Sequence, residues 1–371
     1  MASLTLPQIL ATTRSLITHL QHTLRTNDAD LQPPTSSKSI NPLGLSSTAA
    51  ALIKAQTTKL TLLALNKPFT PVSIIQILTT ISTSPLPALV TAVQLCEPTR
   101  FSNFMKHELQ AKAVRLLKAY ESLILEIPSS SEEQQAKIQA TQQQSNYQSG
   151  QKAALIGTGL VWEVCDEVAA FSEQGLVENA TRKMSGYRGI FNDALMEIDE
   201  WLESGVDGDD LDVDLTNLSL KDDESDSVST GSFSSHPTKE IIPVAEWSLA
   251  ILNHVSLLYP PIIKRRLKKM QELNGKTTMD GLPSNDQIHR LDHLLEAGKH
   301  WSEMIDLVAE GLFENDAEQA VERVQQLVQS TEATVVTSKP NWNDSEDEFS
   351  AWTVQWSQKL QDIKSKNKSL P

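Results

Sequence analysis

Apolar residues recur along most of this chain at spacings of three and four positions, which is the period of an amphipathic helix. Between residues 5 and 27 they form one stripe, and between residues 98 and 127 they form another, broad one. No stretch alternates apolar and polar residues with the period of two that a half-buried strand shows. The pattern predicts an all-α fold of stacked antiparallel helical bundles.

The boundaries of the predicted helices follow prolines and capping residues. The predicted helices cover residues 5–27, 45–65, 71–82, 85–96, 98–127, 131–171, 176–202, 243–273, 284–312, 316–337 and 344–364. The pair Pro260-Pro261 is expected to kink or break its helix, since proline lacks the N–H donor that a helix interior requires. The glutamine-rich residues 134–151 are read either as a fraying part of a helix or as a loop that joins two helices.

Composition changes sharply after residue 202. Between Glu203 and Asp226 lie ten Asp or Glu residues against the single Lys221, and serine and glycine dominate after that. A segment with few apolar residues and concentrated charge cannot offset the entropy of ordering. We therefore predict an N-terminal helical bundle over 1–202, an acidic disordered linker over 203–239 and a C-terminal helical bundle over 240–371.

The whole chain of 371 residues has a formal net charge of −15. Such a chain is expected to repel nucleic acid, whose recognition needs a basic face, and to suit protein partners that carry basic patches. Cys96 and Cys165 lie far apart in apolar helical contexts, which favours a reducing compartment over a disulfide scaffold. We find neither a secretory leader nor about 18 consecutive apolar residues, and so expect no transmembrane helix.

Candidate chemistry is sparse. His289 and His293 share a helix face with His300 close by, and together they form the best metal candidate. These histidines lie opposite the apolar stripe of their helix, however, which favours a solvated face. Cys165 has acidic neighbours, which disfavours a reactive thiolate. The sequence therefore predicts no catalytic, cofactor or metal site and no enzymatic activity.

One strongly basic cluster stands out in the C-terminal half. It consists of Lys264, Arg265, Arg266, Lys268 and Lys269. It has the composition of a nuclear-import signal or of a contact for an acidic partner. The alternative, which we favour, is that it complements the helix dipole near the end of its helix. Ser219 and Ser345 each precede an acidic residue by three positions, which is a context for acid-directed kinases.

The run of residues 157–166 contains two glycines inside a helical pattern, where each costs about 1 kcal/mol relative to alanine. A flat patch for close helix approach is the expected benefit, with Trp162 as a buried wedge. The same run resembles the signature of the cyclin-D-binding protein family, known as GCIP. The positions that carry the resemblance are Thr158, Gly159, Val161, Trp162, Cys165 and Asp166. The Leu45–Leu65 helix followed by Lys67-Pro68-Phe69 adds a looser similarity, and the resemblance covers about residues 45–205.

The resemblance implies a non-enzymatic helical adaptor that binds cyclin-type or helix-loop-helix regulators in cell-cycle or transcriptional control. It also implies bundles similar to those of vinculin and α-catenin, and a cytoplasmic and nuclear location. One alternative is a vinculin-like cytoskeletal or membrane-peripheral adaptor without a cyclin role. Another is an enzyme with a helical-bundle site, for example a metal site on His289 and His293.

Overall fold

The computed structural model describes residues 5–26, 40–133, 150–206, 236–273 and 283–365. Every regular element within these ranges is helical, so the predicted all-α fold is confirmed. The internal contacts divide the chain into two compact units, Met1–Asn179 and Ala180–Pro371, which we call unit 1 and unit 2. Most of the predicted acidic linker lies outside the described residues. The three predicted domain ranges and a vinculin-like stacking of the bundles therefore stay predictions.

Unit 1 contains six helices and the first part of a seventh among its described residues. They are α1 (Leu6–Thr26), α2 (Pro42–Leu65), α3 (Pro71–Thr83), α4 (Pro85–Leu95), α5 (Pro98–Phe101), α6 (Asn103–Glu126) and α7 (Gly150–Val206), which continues into unit 2. Helix α2 begins three residues earlier than predicted. Proline is tolerated in a first turn, and the Asn41 side chain caps the helix by accepting from the backbone N–H of Leu43.

Helices α3 and α4 supply much of the unit 1 core. Within the described residues, Pro71–Leu95 is the one segment that is long and apolar enough to cross a membrane by length and composition. The segment is broken at Ser84, where the backbone leaves helical geometry. Its residues Ile74, Leu78 and Leu89 are fully buried, and α4 packs against α2. The apolar side chains of this segment therefore contribute to the core of the bundle.

Helix α7 is kinked at Gly175, between the two helices that the sequence predicts there. Gly175 has φ 69° and ψ −170°, a conformation that only glycine adopts readily. The kink removes regular backbone hydrogen bonds, and the side-chain amide of Asn179 compensates. Its Nδ2 donates to the carbonyl oxygens of Phe171 and Gly175, both at 2.7 Å. Glycine and asparagine together allow the chain to bend without leaving these buried carbonyls unsatisfied.

Unit 2 is built from the last part of α7 and five further helices among its described residues. They are α8 (Ile242–Ser256), α9 (Tyr259–Ile262, then a π-helical turn Ile263–Leu267, then Lys268–Leu273), α10 (Asn285–Phe313), α11 (Ala317–Ser338) and α12 (Glu348–Ser365). The predicted break at Pro260-Pro261 is confirmed, because α8 ends at Ser256 and α9 restarts with the prolines in its first turn. The predicted Ser284 cap is also confirmed, as a capping box with Gln287.

Helices α10 and α11 form an antiparallel hairpin with a short connection. Gly311 lets them approach closely, since a Cβ there would come 3.0 Å from the backbone nitrogen of Ala320. The core of unit 2 gathers aromatic rings around α10. Tyr259 packs edge-on against Trp301 at 5.4 Å, and its hydroxyl donates to the carbonyl oxygen of Gly298 at 2.9 Å.

Candidate functional site

The run that carries the family resemblance lies on α7, where α7 crosses α2 in antiparallel fashion. Two pairs of buried hydroxyls join the helices. Thr158 Oγ1 lies 2.6 Å from Thr61 Oγ1, and Ser172 Oγ lies 2.8 Å from Ser46 Oγ. Thr158 and Ser172 also bond to the carbonyl oxygen four residues earlier in α7. The hydroxyls therefore satisfy one another at a crossing that the apolar pattern alone does not describe.

Val161 and Cys165 lie on the buried side of this crossing. Val161 is fully buried and Cys165 nearly so. Burial raises the pKa of the Cys165 thiol to about 12, and the neighbouring Asp166 carboxylate acts in the same direction. Burial likewise raises the pKa of Cys96 to about 12. A thiol held protonated in this way is a packing group and a poor nucleophile.

The prediction that Trp162 is a buried wedge beside Gly159 is wrong. The Trp162 side chain is 38% exposed, and within the described residues nothing lies within 4 Å of the position that a Cβ on Gly159 would take. Close approach occurs instead at Gly157, where a Cβ would lie 3.3 Å from Leu123 Cδ1 of α6. The buried stripe of α7 is centred on Val161, which turns Trp162 and Gly159 toward the surface.

The outward side of α7 at this point is apolar. Its members, which we call the α7 face, are Leu155, Ile156, Gly159, Leu160 and Trp162. The four large side chains are between 38% and 57% exposed.

Each neighbouring helix also carries an exposed leucine close in sequence to its contact with α7. Leu62 of α2 follows the residue that bonds Thr158, and Leu125 of α6 lies two residues beyond the leucine that packs on Gly157; both are exposed. The α7 face itself is a run of exposed apolar side chains, and such a run marks an interaction surface more often than scattered residues do.

Charged residues continue the outward side of α7 beyond the α7 face, and they are paired. Asp166 accepts from Lys54 Nζ of α2 at 2.6 Å, and Glu167 accepts from Arg115 of α6 at 2.7 Å. These exposed pairs connect α7 to both neighbours, although each is worth little in stability. Residues 1–179 carry 13 Lys and Arg against 13 Asp and Glu, so unit 1 is neutral and residues 180–371 carry the whole net charge of −15.

The basic cluster of α9 is divided by burial. Arg266 is fully buried, and the structure corrects its assignment as an import or partner contact, because a partner cannot reach it. Its guanidinium donates to the carbonyl oxygens of Arg265, Ser338 and Lys339 and to both carboxylate oxygens of Asp347, at 2.7–3.0 Å. The hydrogen bonds from Arg266 hold the pKa of Asp347 down at about 2. Arg266 thus fixes the segment between α11 and α12.

The other members of the cluster are more accessible. Lys264, Lys268 and Lys269 are exposed, and Arg265 is half-buried. Arg265 pairs with Glu348 and, with Lys269, lines an open cavity of about 390 Å³ that also includes Asn341 and Asn343. Their predicted role as a partner contact stays a prediction.

The histidine pair lies where the sequence places it. His289 and His293 are exposed on α10 and border a shallow cavity of about 190 Å³ beside Arg290 and Trp342. Throughout the part of the chain that the structure describes, no group of three or more His, Cys, Asp or Glu side chains is arranged to hold a metal ion. The arrangement of this pair gives the enzyme alternative no support.

Fold and surface together define an all-helical domain whose family motif lies on a helix crossing beside an exposed apolar face. Residues 47–204 match the family model described as Grap2 and cyclin-D-interacting, N-terminal, so the chain carries this domain and the resemblance is confirmed. The chain is also 24% identical over 318 residues to an uncharacterized protein of Schizosaccharomyces pombe, which covers 85% of this chain and 83% of that protein. No solved protein structure matches the chain.

Several important residues of the site were not found from the sequence. Lys54, Arg115 and Asp347 are ion-pair partners that lie 48 or more positions away in the chain, and local patterns carry no signal for them. A signal did exist for the α7 face. Residues 154–162 are apolar on all sides of the helix, whereas one apolar side is enough to pack α7 into unit 1.

Proposed function

We propose that this protein is a non-enzymatic helical adaptor that binds protein partners of the cyclin or helix-loop-helix type through the α7 face. The observation that carries the proposal is this exposed apolar surface, which lies within the matched domain and beside its motif. The family model's description names cyclin-D interaction, and an apolar helix face with a partly exposed tryptophan has the composition of a binding hot spot. Control of the cell cycle or of transcription, in the cytoplasm and the nucleus, is part of the same proposal.

The absence of enzymatic activity is also proposed, on the chemistry of the described residues. Catalysis needs a nucleophile or base poised near its working pH and oriented by a third group. The two thiols are buried, with pKa values of about 12. Burial lowers the pKa of His254, which stacks on Trp356, so this imidazole acts as a neutral packing group.

The distribution of charge along the chain determines how the proposed binding should depend on salt. The net charge of −15 predicts electrostatic attraction to a basic partner, with binding that weakens as salt rises. Unit 1 is neutral, however, and the acidic side chains next to the α7 face are paired with Lys54 and Arg115. Binding through apolar contact is little screened by salt, because screening acts on charges. We therefore propose affinity that is nearly independent of salt.

The proposal is tested by titrating the full chain with purified D-type cyclin and with helix-loop-helix partners in a calorimeter, at low and at high salt. We expect binding to at least one class, with a dissociation constant that changes less than about threefold between 50 and 300 mM salt. Trp162→Ala should abolish the signal, while Trp352→Ala on α12 serves as a matched control in unit 2. Absence of binding to both classes contradicts the proposal, and equal binding by Trp162→Ala contradicts the assignment of the surface.

A further inference from the structure

Helix α12 runs antiparallel to α11, and its described part ends well before α11 does. Near the start of α12, Ser350 Oγ donates to the carbonyl oxygen of Lys339, at the C-cap of α11. Near the end of α12, Lys364 Nζ pairs with the Glu332 carboxylate at 3.0 Å. Because α11 begins at Ala317, about four of its turns lie beyond this ion pair and past the described part of α12.

A groove lies between α8 and α11 where α12 ends, and its volume is about 320 Å³. α8 contributes Trp247 and Ile251 to its lining, and α11 contributes Val328 among glutamines. The α11 lining extends from Glu332 to Gln325, which is about 10 Å along the helix axis. Glu332 is already paired with α12, so the groove offers mainly apolar side chains to whatever fills it.

The inward stripe of α12 continues in the residues that follow this helix. Its members within α12 recur at alternating spacings of four and three and are buried or, for the last one, half-buried: Phe349, Thr353, Trp356, Leu360 and Ile363. Trp356 stacks on His254, so the stripe faces α8, which forms one side of the groove. The next two positions of the same repeat are Asn367 and Leu370. A repeat of this kind keeps one side of a helix turned toward its neighbours.

The length of the following segment matches the length of the groove. Leu370 lies six residues after Lys364, which is about 9 Å in a helix. Gln325 lies seven residues from Glu332, the partner of Lys364, which is about 10 Å along α11. A helical continuation of α12 would therefore bring Leu370 to the level of Gln325, at the far end of the groove, with Asn367 near its middle.

We propose that residues 366–371 continue α12 and bind in the groove between α8 and α11, with Leu370 packed among the apolar side chains there. The occupant of the groove is thus a segment of the same chain. The inference goes beyond the proposed function, which concerns the α7 face of unit 1. A partner helix can use the groove only by displacing this segment, so the segment controls access to a second apolar surface.

Hydrogen exchange of the full chain tests the docking, read by mass spectrometry on peptides that end at residue 371. We expect the amides of residues 366–370 to exchange about tenfold or more slowly in wild type than in Leu370→Glu, because an unpaired carboxylate is not accommodated among apolar side chains. Ser369→Glu is the matched control. It adds the same charge about 100° around the helix and should leave the exchange rates within about threefold of wild type.

Disulfide trapping shows where the segment lies. Leu370→Cys is combined either with Gln325→Cys, at the far end of the groove, or with Ala333→Cys, which is exposed on α11 outside the groove. We expect mild oxidation to link position 370 to position 325 about tenfold or more faster than to position 333. The native thiols of Cys96 and Cys165 do not compete, because burial raises the pKa of each to about 12.

Several outcomes would overturn the inference. Amides of residues 366–370 that exchange in wild type as fast as those of a short unstructured peptide would do so. Equal exchange in wild type and Leu370→Glu, or equal loss of protection in Ser369→Glu, would remove the role of Leu370. Equal trapping at positions 325 and 333 would place the segment outside the groove. A disulfide that forms between two chains would assign the groove to a second copy.

Discussion

In unit 1, hydrogen bonds between uncharged hydroxyls join the crossing helices α2 and α7. In unit 2, the buried guanidinium of Arg266 joins α9 to the segment between α11 and α12. Thr61 and Thr158 share a hydrogen bond, and Thr158 also bonds to its own helix. In unit 2, Arg266 places its donors on three carbonyls and on the Asp347 carboxylate, while its plane lies 4.3 Å over the Phe349 ring. Helices of one fold class can thus be joined by polar groups whose burial costs very different amounts of free energy.

The surfaces of the two units differ in the same sense. Unit 1 is neutral and exposes the apolar α7 face, whereas residues 180–371 carry all of the net negative charge. Unit 1 thus presents an apolar surface on a scaffold whose positive and negative charges balance. In unit 2, by contrast, one member of the basic cluster, Arg266, is buried and bonded inside the fold.

The largest expected effect comes from removing the buried charge of unit 2. Arg266→Met should lower the free energy of unfolding by about 3–5 kcal/mol, because it leaves Asp347 and three backbone carbonyls without their partner. The neighbouring Arg265→Met breaks only an exposed pair with Glu348 and should cost at most about 1 kcal/mol. Urea unfolding of both variants measures the difference. Equal losses of stability in the two variants would show that Arg266 does not hold α9 to the segment between α11 and α12.

A smaller effect is expected at the hydroxyl crossing of unit 1. Thr158→Val should cost about 1–3 kcal/mol, because it leaves the buried Thr61 hydroxyl without its cross-helix partner. The double variant Thr61→Val/Thr158→Val removes both groups and should be closer to wild type than the single one. A double-mutant cycle by urea unfolding checks this. Simple additivity of the two losses would mean that the hydroxyls do not depend on each other.

The pH dependence of unit 2 provides the third prediction. Burial lowers the pKa of His254, whose Nε2 donates to the carbonyl oxygen of Trp356 at 2.9 Å, although this bond itself acts against the lowering. The folded state keeps His254 neutral while the unfolded chain takes up a proton below about pH 6.5. Stability is therefore full above that pH and is lost as the pH falls, by up to about 1.4 kcal/mol per unit. His254→Gln should flatten the profile between pH 7.5 and 5.5, and an unchanged slope would refute the assignment.

The smallest of these effects has the opposite sign. Gly159→Ala should raise the free energy of unfolding by about 0.5–1 kcal/mol, since alanine is the better helix former and the position is open. The same change at Gly311 of unit 2 should destabilise, because its Cβ would lie 3.0 Å from the backbone nitrogen of Ala320, which cannot move aside without shifting α11. Thermal unfolding of both variants compares them. A loss of stability at Gly159 would indicate that the surface there is covered in the single chain.

The fold class could be predicted from the sequence because helical periodicity and capping residues act over a few positions. Ser284 with Gln287, and the break at Pro260-Pro261, are examples in which local chemistry was sufficient. The family motif could be recognised in the same way. The burial of Arg266 could not, because its partners Ser338, Lys339 and Asp347 lie more than 70 positions away.

The exposed orientation of Trp162 could not be predicted from the sequence, for a different reason. Apolar residues surround α7 near this point, so the periodicity leaves the buried direction ambiguous, and the spacing of Thr158, Trp162 and Cys165 places all three on one side. The buried side is set instead by Thr158, Val161 and Cys165, of which two are small or polar. Where a helix is apolar all round, only packing against its neighbours decides which side binds a partner.

The most direct test of the account is the stability of Trp162→Ala, measured by urea unfolding beside Trp301→Ala. In the function proposed above, Trp162 belongs to a surface kept apolar for a partner, while Trp301 is fully buried in the core of unit 2. We predict that Trp162→Ala changes the free energy of unfolding by less than about 1 kcal/mol and that Trp301→Ala lowers it by about 3–5 kcal/mol. A loss of about 3–5 kcal/mol at Trp162 would contradict the account and return this residue to the core.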